Sequence, residues 1–184
     1  MDALHASVRA SLDSLAEAAP GEKHRLVSPL AEGSDRIVAE EASARGWELV
    51  SLLPFSREDY EKDFHSEESR LEFERLLAQA TRVRALAGRR DSRSQRDSAY
   101  TAVGHLLLDV SDVLVAIWDG KGSHGEGGTA QVVREAAERG LVTVWIPSVP
   151  PHVPELLLPS GAPRLSPEKL ADLVSRFPKT STSR

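Results

Sequence analysis

Apolar positions recur at two spacings along this chain, and the alternation between those spacings sets the expected fold. Leu4, Val8, Leu12 and Leu15 repeat at helical intervals, and Pro20-Gly21 closes that first segment. HRLVSPL then gives a short strand over Arg25 to Ser28. Residues 33 to 45 predict a helix with Ile37, Val38 and Ala42 inward and Gly46 as its stop. WELVSLLPF predicts a buried strand that ends at Pro54. Residues 57 to 80 are highly charged around the anchors Phe64, Leu71, Phe73, Leu76 and Leu77, and read as one long helix that could break near His65-Ser66. TRVRAL is a weak strand, and GRRDSRSQRD is a polar loop with four arginines. A helix from about Gln95 to Val110 follows, carrying Ala99, Val103, Leu106 and Leu107. The strand 113–118, the helix 127–139 and the strand 141–146 form the plainest βαβ unit. Pro147 to Pro163 holds five further prolines and reads as extended chain. Ser166 caps a last helix, Pro167 to Phe177, with proline at its first position.

Helices that alternate with β-branched strands imply a parallel sheet with right-handed crossovers. The expectation is an α/β, Rossmann-like, doubly wound domain with a mainly parallel sheet and helices on both faces. It would span residues 1–178 as one domain, with 179–184 as a disordered tail. One feature is unusual for such a fold: no strand precedes the first helix. Either the usual first strand is missing, or the helix packs without one.

Composition narrows the function classes. With 184 residues, 40% of them hydrophobic and 28% charged, the chain can bury a sizeable core. A net charge of −5 argues against generic binding to nucleic acid or anionic membranes, which need a positive surface. There is no cysteine, so disulfides, thiolate metal sites and cysteine nucleophiles are excluded. No apolar run approaches a membrane span, and the start MDALHASVRASLDSL lacks the form of a signal peptide, so a cytoplasmic location is expected. The six histidines show neither His-x-His nor His-Glu-x-x-His spacing, so no metal site is expected; His124, in the glycine loop, is the one of note. No Gly-x-Ser-x-Gly elbow is present, which disfavours a hydrolase triad. No cofactor is implied.

The chemistry concentrates in the glycines. DVLVAIWDGKGSHGEGGTAQVV places five glycines between Gly120 and Gly128, at the end of one strand and the start of one helix. In open parallel sheets ligands sit outside the carboxyl ends of strands. Free backbone N–H groups at Gly127-Gly128-Thr129, with the positive end of the helix dipole, would suit an anion, and the Thr129 hydroxyl could add a donor. The plainer alternative is a flexible turn. There is no Gly-Lys-Ser/Thr, so this is not a P-loop. The Gly-x-Gly-x-x-Gly/Ala matches lack an acid after the next strand, so a dinucleotide fingerprint is weak. A second loop, Gly33-Ser34-Asp35 in SPLAEGSDRIVAEEA, is another backbone nest at a helix start, or else an ordinary cap by Ser34 or Asp35.

The combination SPLAEGSDRIVAEEA, LPFSREDYEKDF, the AY…G helix and SDVLVAIWDG…GEGGTAQVV resembles the SLOG superfamily. Those are Rossmann-like domains related to the LOG phosphoribohydrolases and to the DprA/Smf DNA-processing proteins. The similarity covers about residues 25 to 146. It implies that the two glycine loops cradle a nucleotide or nucleotide-derived ligand. Relatives of this subgroup commonly begin with a strand ending in a Gly-His-Arg-like turn, which this chain lacks.

The resemblance extends to LOG enzymes and nucleoside deoxyribosyltransferases, which carry a glutamate three residues after the threonine for N-glycosidic chemistry. Here that position is Val132, beside Gln131, and neither supplies the charge an oxocarbenium-like state needs. Glu126 and Asp119 remain as weak catalytic candidates, Glu135 lies a turn further along, and Asp119 may equally form an Asp-Gly turn. Tyr60 and Tyr100 could stack a base with Arg96 or Arg93 on a phosphate, whereas Phe55 reads as a cap on the sheet and Trp118 and Trp145 as core. The expected ligand-binding set is thus Gly33, Ser34, Asp35, Tyr60, Arg96, Tyr100, Asp119, Gly120, Gly127, Gly128 and Thr129. The expected activity is non-catalytic nucleotide binding, as a sensor. The alternatives are N-glycoside cleavage and an interaction module with a vestigial pocket. A homo-oligomer is expected, because an incomplete sheet leaves an edge or helix face to cover.

Overall fold

The computed structural model describes residues 2–122 and 128–178, so the expected disordered tail 179–184 lies outside the described residues. The chain divides into two compact units, Lys23–Asp109 and the pair of segments Met1–Glu22 and Val110–Arg184. Each carries its own three-stranded sheet. The α/β, Rossmann-like class expected from the sequence is what the structure shows. Among the described strands only the last pairs antiparallel.

The unit Lys23–Asp109 runs β1 (Arg25–Ser28), α2 (Ser34–Ala44), β2 (Glu48–Leu53), α3 (Arg57–Tyr60), a 3-10 turn (Glu61–Asp63), α4 (Glu67–Gln79), β3 (Arg82–Ala85) and α5 (Arg93–Asp109). Its sheet has the order β1-β2-β3, all parallel. Side chains of a strand alternate between faces, so Leu49 and Leu53 of β2 share one side. They join Ala39 of α2 and Phe73, Leu76 and Leu77 of α4 in a single buried cluster. The long helix expected over 57–80 is interrupted at 64–66. Phe64 leaves the helical conformation and buries its ring in that cluster, and Ser66 restarts the chain as a cap that accepts the Ser69 N–H. A buried aromatic outweighs the loss of one helical turn, since burying such a side chain contributes about 1.5–3 kcal/mol.

The other unit comprises α1 (Asp2–Glu17), β4 (Val113–Trp118), α6 (Thr129–Glu138), β5 (Val142–Pro147), β6 (Glu155–Leu157) and α7 (Pro167–Arg176). Strands β4 and β5 are parallel, and β6 pairs antiparallel with β5, Val144 opposite Leu156. That strand lies within the proline-rich stretch read as merely extended; its prolines flank Glu155–Leu157 and leave the ladder positions free to donate. Helix α1 packs on β5 and α7, burying Val8 and Leu12. Helix α6 bridges β4 and β5 as the expected βαβ crossover. Its buried side is Val133 and Ala136.

Candidate functional site

Two strand-to-helix loops carry the residues singled out from the sequence, one in each unit. The loop after β1 is bent twice into the left-handed region, at Leu30 (φ 56°) and at Gly33 (φ 91°, ψ −116°). A non-glycine residue adopts such a φ only when its surroundings hold it there. Three side chains do so. Ser28 Oγ accepts the Leu30 N–H at 3.0 Å, Asp35 Oδ2 accepts the Ala31 N–H at 3.2 Å, and Arg36 Nε donates to the Leu30 carbonyl at 3.2 Å. Gly33 is the N-cap of α2 and receives no side-chain cap, so neither Ser34 nor Asp35 caps the helix in the ordinary way. No atom lies within 4 Å of where a Cβ at Gly33 would be. The glycine is there for its conformation, and the space beside it is open.

Arg36 fixes this loop to the rest of the unit. Only 1% exposed, it donates from Nη1 to the Ser69 carbonyl at 2.8 Å, to Ser69 Oγ at 3.0 Å and to Glu72 at 2.7 Å. Its guanidinium stacks over the Phe64 ring at 4.4 Å. Nothing in the motif reading pointed to Arg36. The available signal was its place three residues before Ala39, on the buried side of α2.

Beside the loop stand Tyr60 and Tyr100, whose rings are 6.4 Å apart. The Tyr100 hydroxyl donates to Asp63 Oδ2, and Arg90 donates to Asp63 Oδ1 at 2.7 Å and to the Asp59 carbonyl. Arg90 also lies 5.2 Å over the Phe55 ring, and Gly88 lets the β3–α5 connection pass against Pro54, whose carbonyl would be 2.1 Å from a Cβ there. Asp63 and Arg90 therefore organise this wall, although the sequence reading had passed over both. Burial pushes the Tyr60 hydroxyl well above the usual tyrosine range, and the nearby Asp35 charge adds to that. Burial first, then the hydrogen bond to Asp63, does the same to Tyr100. The partly buried Asp35 carboxyl is pushed up to about 6 by desolvation, which outweighs the Ala31 amide and the Arg36 charge. The Tyr60 hydroxyl has no hydrogen-bond partner among the described residues. Of the sequence-predicted residues, then, Asp35, Tyr60 and Tyr100 come together here. Arg96 sits exposed on α5, close enough for its charge to act on Tyr100, and Arg93 pairs with Asp97 at 3.8 Å.

The second loop follows β4. Gly120 adopts φ 77°, and Asp119 Oδ1 accepts the Lys121 N–H at 3.0 Å. That is the turn-forming role weighed for Asp119. Gly128 is the N-cap of α6 with φ −75° and ψ 164°, and its carbonyl accepts from Gln131 and Val132. Its conformation is open to any residue, so glycine there does not serve a left-handed turn. Thr129 is exposed at the first turn. Gly127, Glu126 and His124 lie outside the described residues. Glu135 accepts a hydrogen bond from Gln131 at 2.9 Å and pairs with Arg139.

Trp118 and Trp145 correct the expectation of core tryptophans. Both are half-buried, with rings 6.0 Å apart. Ala116 faces Trp145 across the ladder and Trp118 follows two residues on, which puts both indoles on one face of the sheet. Trp145 Nε1 donates to the Trp118 carbonyl, and the Trp145 ring lies 3.3 Å from where a Cβ at Gly120 would be. Trp118 is the last residue of β4 and Trp145 lies two residues before the end of β5, so both indoles sit toward the carboxyl ends of their strands.

No family model and no curated protein matches the chain. Among the described residues no helix is long and apolar enough to cross a membrane.

Proposed function

We propose that the chain binds a nucleotide or nucleotide-derived ligand through its strand-to-helix glycine loops, without cleaving it. The observation that carries this reading is the β1–α2 loop. Leu30, a non-glycine residue in the left-handed region, is held by three separate side chains bonded to it and to Ala31, and Gly33 starts an 11-residue helix next to open space. Strain of about 1–3 kcal/mol per such residue persists where a functional geometry requires it. The adjoining Tyr100 and Arg90 supply the aromatic and cationic groups a base and phosphate would meet, whereas Tyr60, 1% exposed and packed on Phe64 and Phe73, backs that wall from the core. In the other unit Gly128 and Thr129 open α6 toward the same kind of ligand, with the Trp118–Trp145 pair beside Gly120 as a stacking surface. The resemblance to SLOG domains points the same way. Val132 at the glutamate position, and Asp119 spent on its own turn, support binding without N-glycosidic chemistry.

The test is native mass spectrometry of freshly purified protein, followed by calorimetric titration with nucleoside mono-, di- and triphosphates. A bound mass of nucleotide size, or micromolar binding of one class, is expected. Gly128→Ala leaves the backbone unstrained, so lost affinity in that variant reports on the ligand and not on folding. Binding that stays weaker than millimolar for every nucleotide, in parent and variant alike, sinks the proposal. So does release of free base at ordinary enzyme rates, for the non-catalytic part.

A further inference from the structure

Strand β3 is the outer strand of the β1-β2-β3 sheet, and all four of its residues, Arg82, Val83, Arg84 and Ala85, are exposed. Such a strand has one edge satisfied by its neighbour and one edge of unpaired backbone groups. Thr81 donates its N–H to the Leu49 carbonyl at 2.8 Å. Glu48 of β2 donates its N–H to His24 beside β1, and Leu86 donates to the Leu53 carbonyl at 2.8 Å, so Leu49, Ser51 and Leu53 turn their main chain toward β3. In this parallel register Arg82 and Arg84 bond to β2 while Val83 and Ala85 present their N–H and C=O outward. The two arginines project on one face of the strand and Val83, 49% exposed, on the other. The nearest carboxylate to Arg82 is Glu48 at 3.9 Å, and Glu48 is already engaged with Arg25 at 2.8 Å. Arg84 has no acidic partner among the described residues.

We infer that β3 is a docking edge for an extended acidic segment of a partner protein, which adds to the sheet as a further strand. Main-chain hydrogen bonds to Val83 and Ala85 would hold it, and carboxylates at alternate positions would meet the guanidinium groups of Arg82 and Arg84. A second copy of this chain does not fit, because antiparallel pairing of β3 with itself brings four arginines onto one short ladder. Nucleic acid fits less well than a peptide, because it offers no strand to the free N–H and C=O groups. The arginines thus guard the edge against self-pairing and select for an acidic occupant.

The experiment titrates the full chain with a fluorescent peptide of alternating Glu and Thr, followed by anisotropy and by amide hydrogen exchange. The peptide should bind and slow exchange at the amides of Val83 and Ala85. Its Lys-for-Glu counterpart should not bind, and a single-stranded oligonucleotide should not compete. Val83→Pro removes an outward N–H without touching the β2 ladder, so the fold should survive and binding should fall roughly tenfold or more. Arg84→Gln, which keeps the backbone, should weaken it roughly two- to fivefold. Absence of peptide binding overturns the inference, as does undiminished binding by a folded Val83→Pro. Competition by the oligonucleotide, or self-association that Val83→Pro abolishes, overturns it as well. Nucleotide titration of the same variants is unaffected if the two proposals are separate.

Discussion

The two units solve the same problem differently. Both place a loop between a parallel strand and a helix, and among the described residues only the one after β1 is tied down by side chains from the core. There Ser28, Asp35 and Arg36 hold Leu30 and Ala31, and Arg36 reaches on to Ser69 and Glu72. The described part of the β4–α6 connection is organised by short-range backbone contacts, the Asp119 turn and the Gly128 carbonyl. Its sheet is instead completed by an antiparallel strand, β6, over Val144 and its neighbours. The first design places ionisable groups next to the candidate site. In the second, the described contacts with the loop are aromatic and main-chain apart from the Asp119 carboxylate, which holds its own turn. The contrast predicts that pH and charge substitutions act on the first unit, and packing and backbone substitutions on the second.

The strongest way to break this contrast is Arg36→Ala. It removes bonds to two carbonyls, to Ser69 Oγ and to Glu72, and leaves a cavity among Phe64 and Phe73. A loss of about 3–5 kcal/mol in urea unfolding is expected. A loss under about 1 kcal/mol would mean the loop is not held by that residue.

Asp35 gives the pH dependence its sign. Its folded carboxyl titrates near 6, above the ordinary carboxylate value of 3.8, so the folded state binds the proton more tightly than the unfolded chain. Stability from this group is therefore full below about pH 4 and is lost as pH rises through about 6. Asp35→Asn does not ionise, so its stability relative to the parent should rise by about 2 kcal/mol between pH 4 and pH 7. A pH-independent difference would show that the carboxyl is solvated and the buried-charge description of this loop is wrong.

Backbone strain distinguishes the glycines. Gly33→Ala, at φ 91° and ψ −116°, should cost about 1–3 kcal/mol although the space for a methyl is open. Gly120→Ala, at φ 77°, should cost about 1 kcal/mol, with a small movement of Trp145 visible in near-ultraviolet circular dichroism. Equal costs, or a larger one at Gly120, would reverse the assignment of the more constrained loop.

Tyr60→Phe should have the smallest effect on stability. A buried hydroxyl without a partner costs energy in the folded state, so its removal should be neutral or stabilising by about 1 kcal/mol. If stability holds and nucleotide affinity falls, the hydroxyl serves the ligand. If stability drops, a group in the folded protein satisfies it.

The sequence by itself determined the α/β class, nearly every helix and strand and the two glycine loops, because periodicities of two and 3.6 residues and glycine, proline and serine punctuation are local signals. Ser166 announced its helix start directly. Tertiary structure decided what no local signal carries. It broke the long charged helix so that Phe64 could be buried, and it turned a proline-rich stretch into β6 by pairing it with β5. It also made Asp63 and Arg90 partners across 27 residues of chain and buried Arg36 against Ser69 and Glu72. Finally, it placed Trp118 and Trp145 half-buried toward the carboxyl ends of their strands instead of in the core. In each case the deciding energy is burial or a hydrogen bond between residues distant in sequence, and spacing along the chain does not encode which distant group will be opposite.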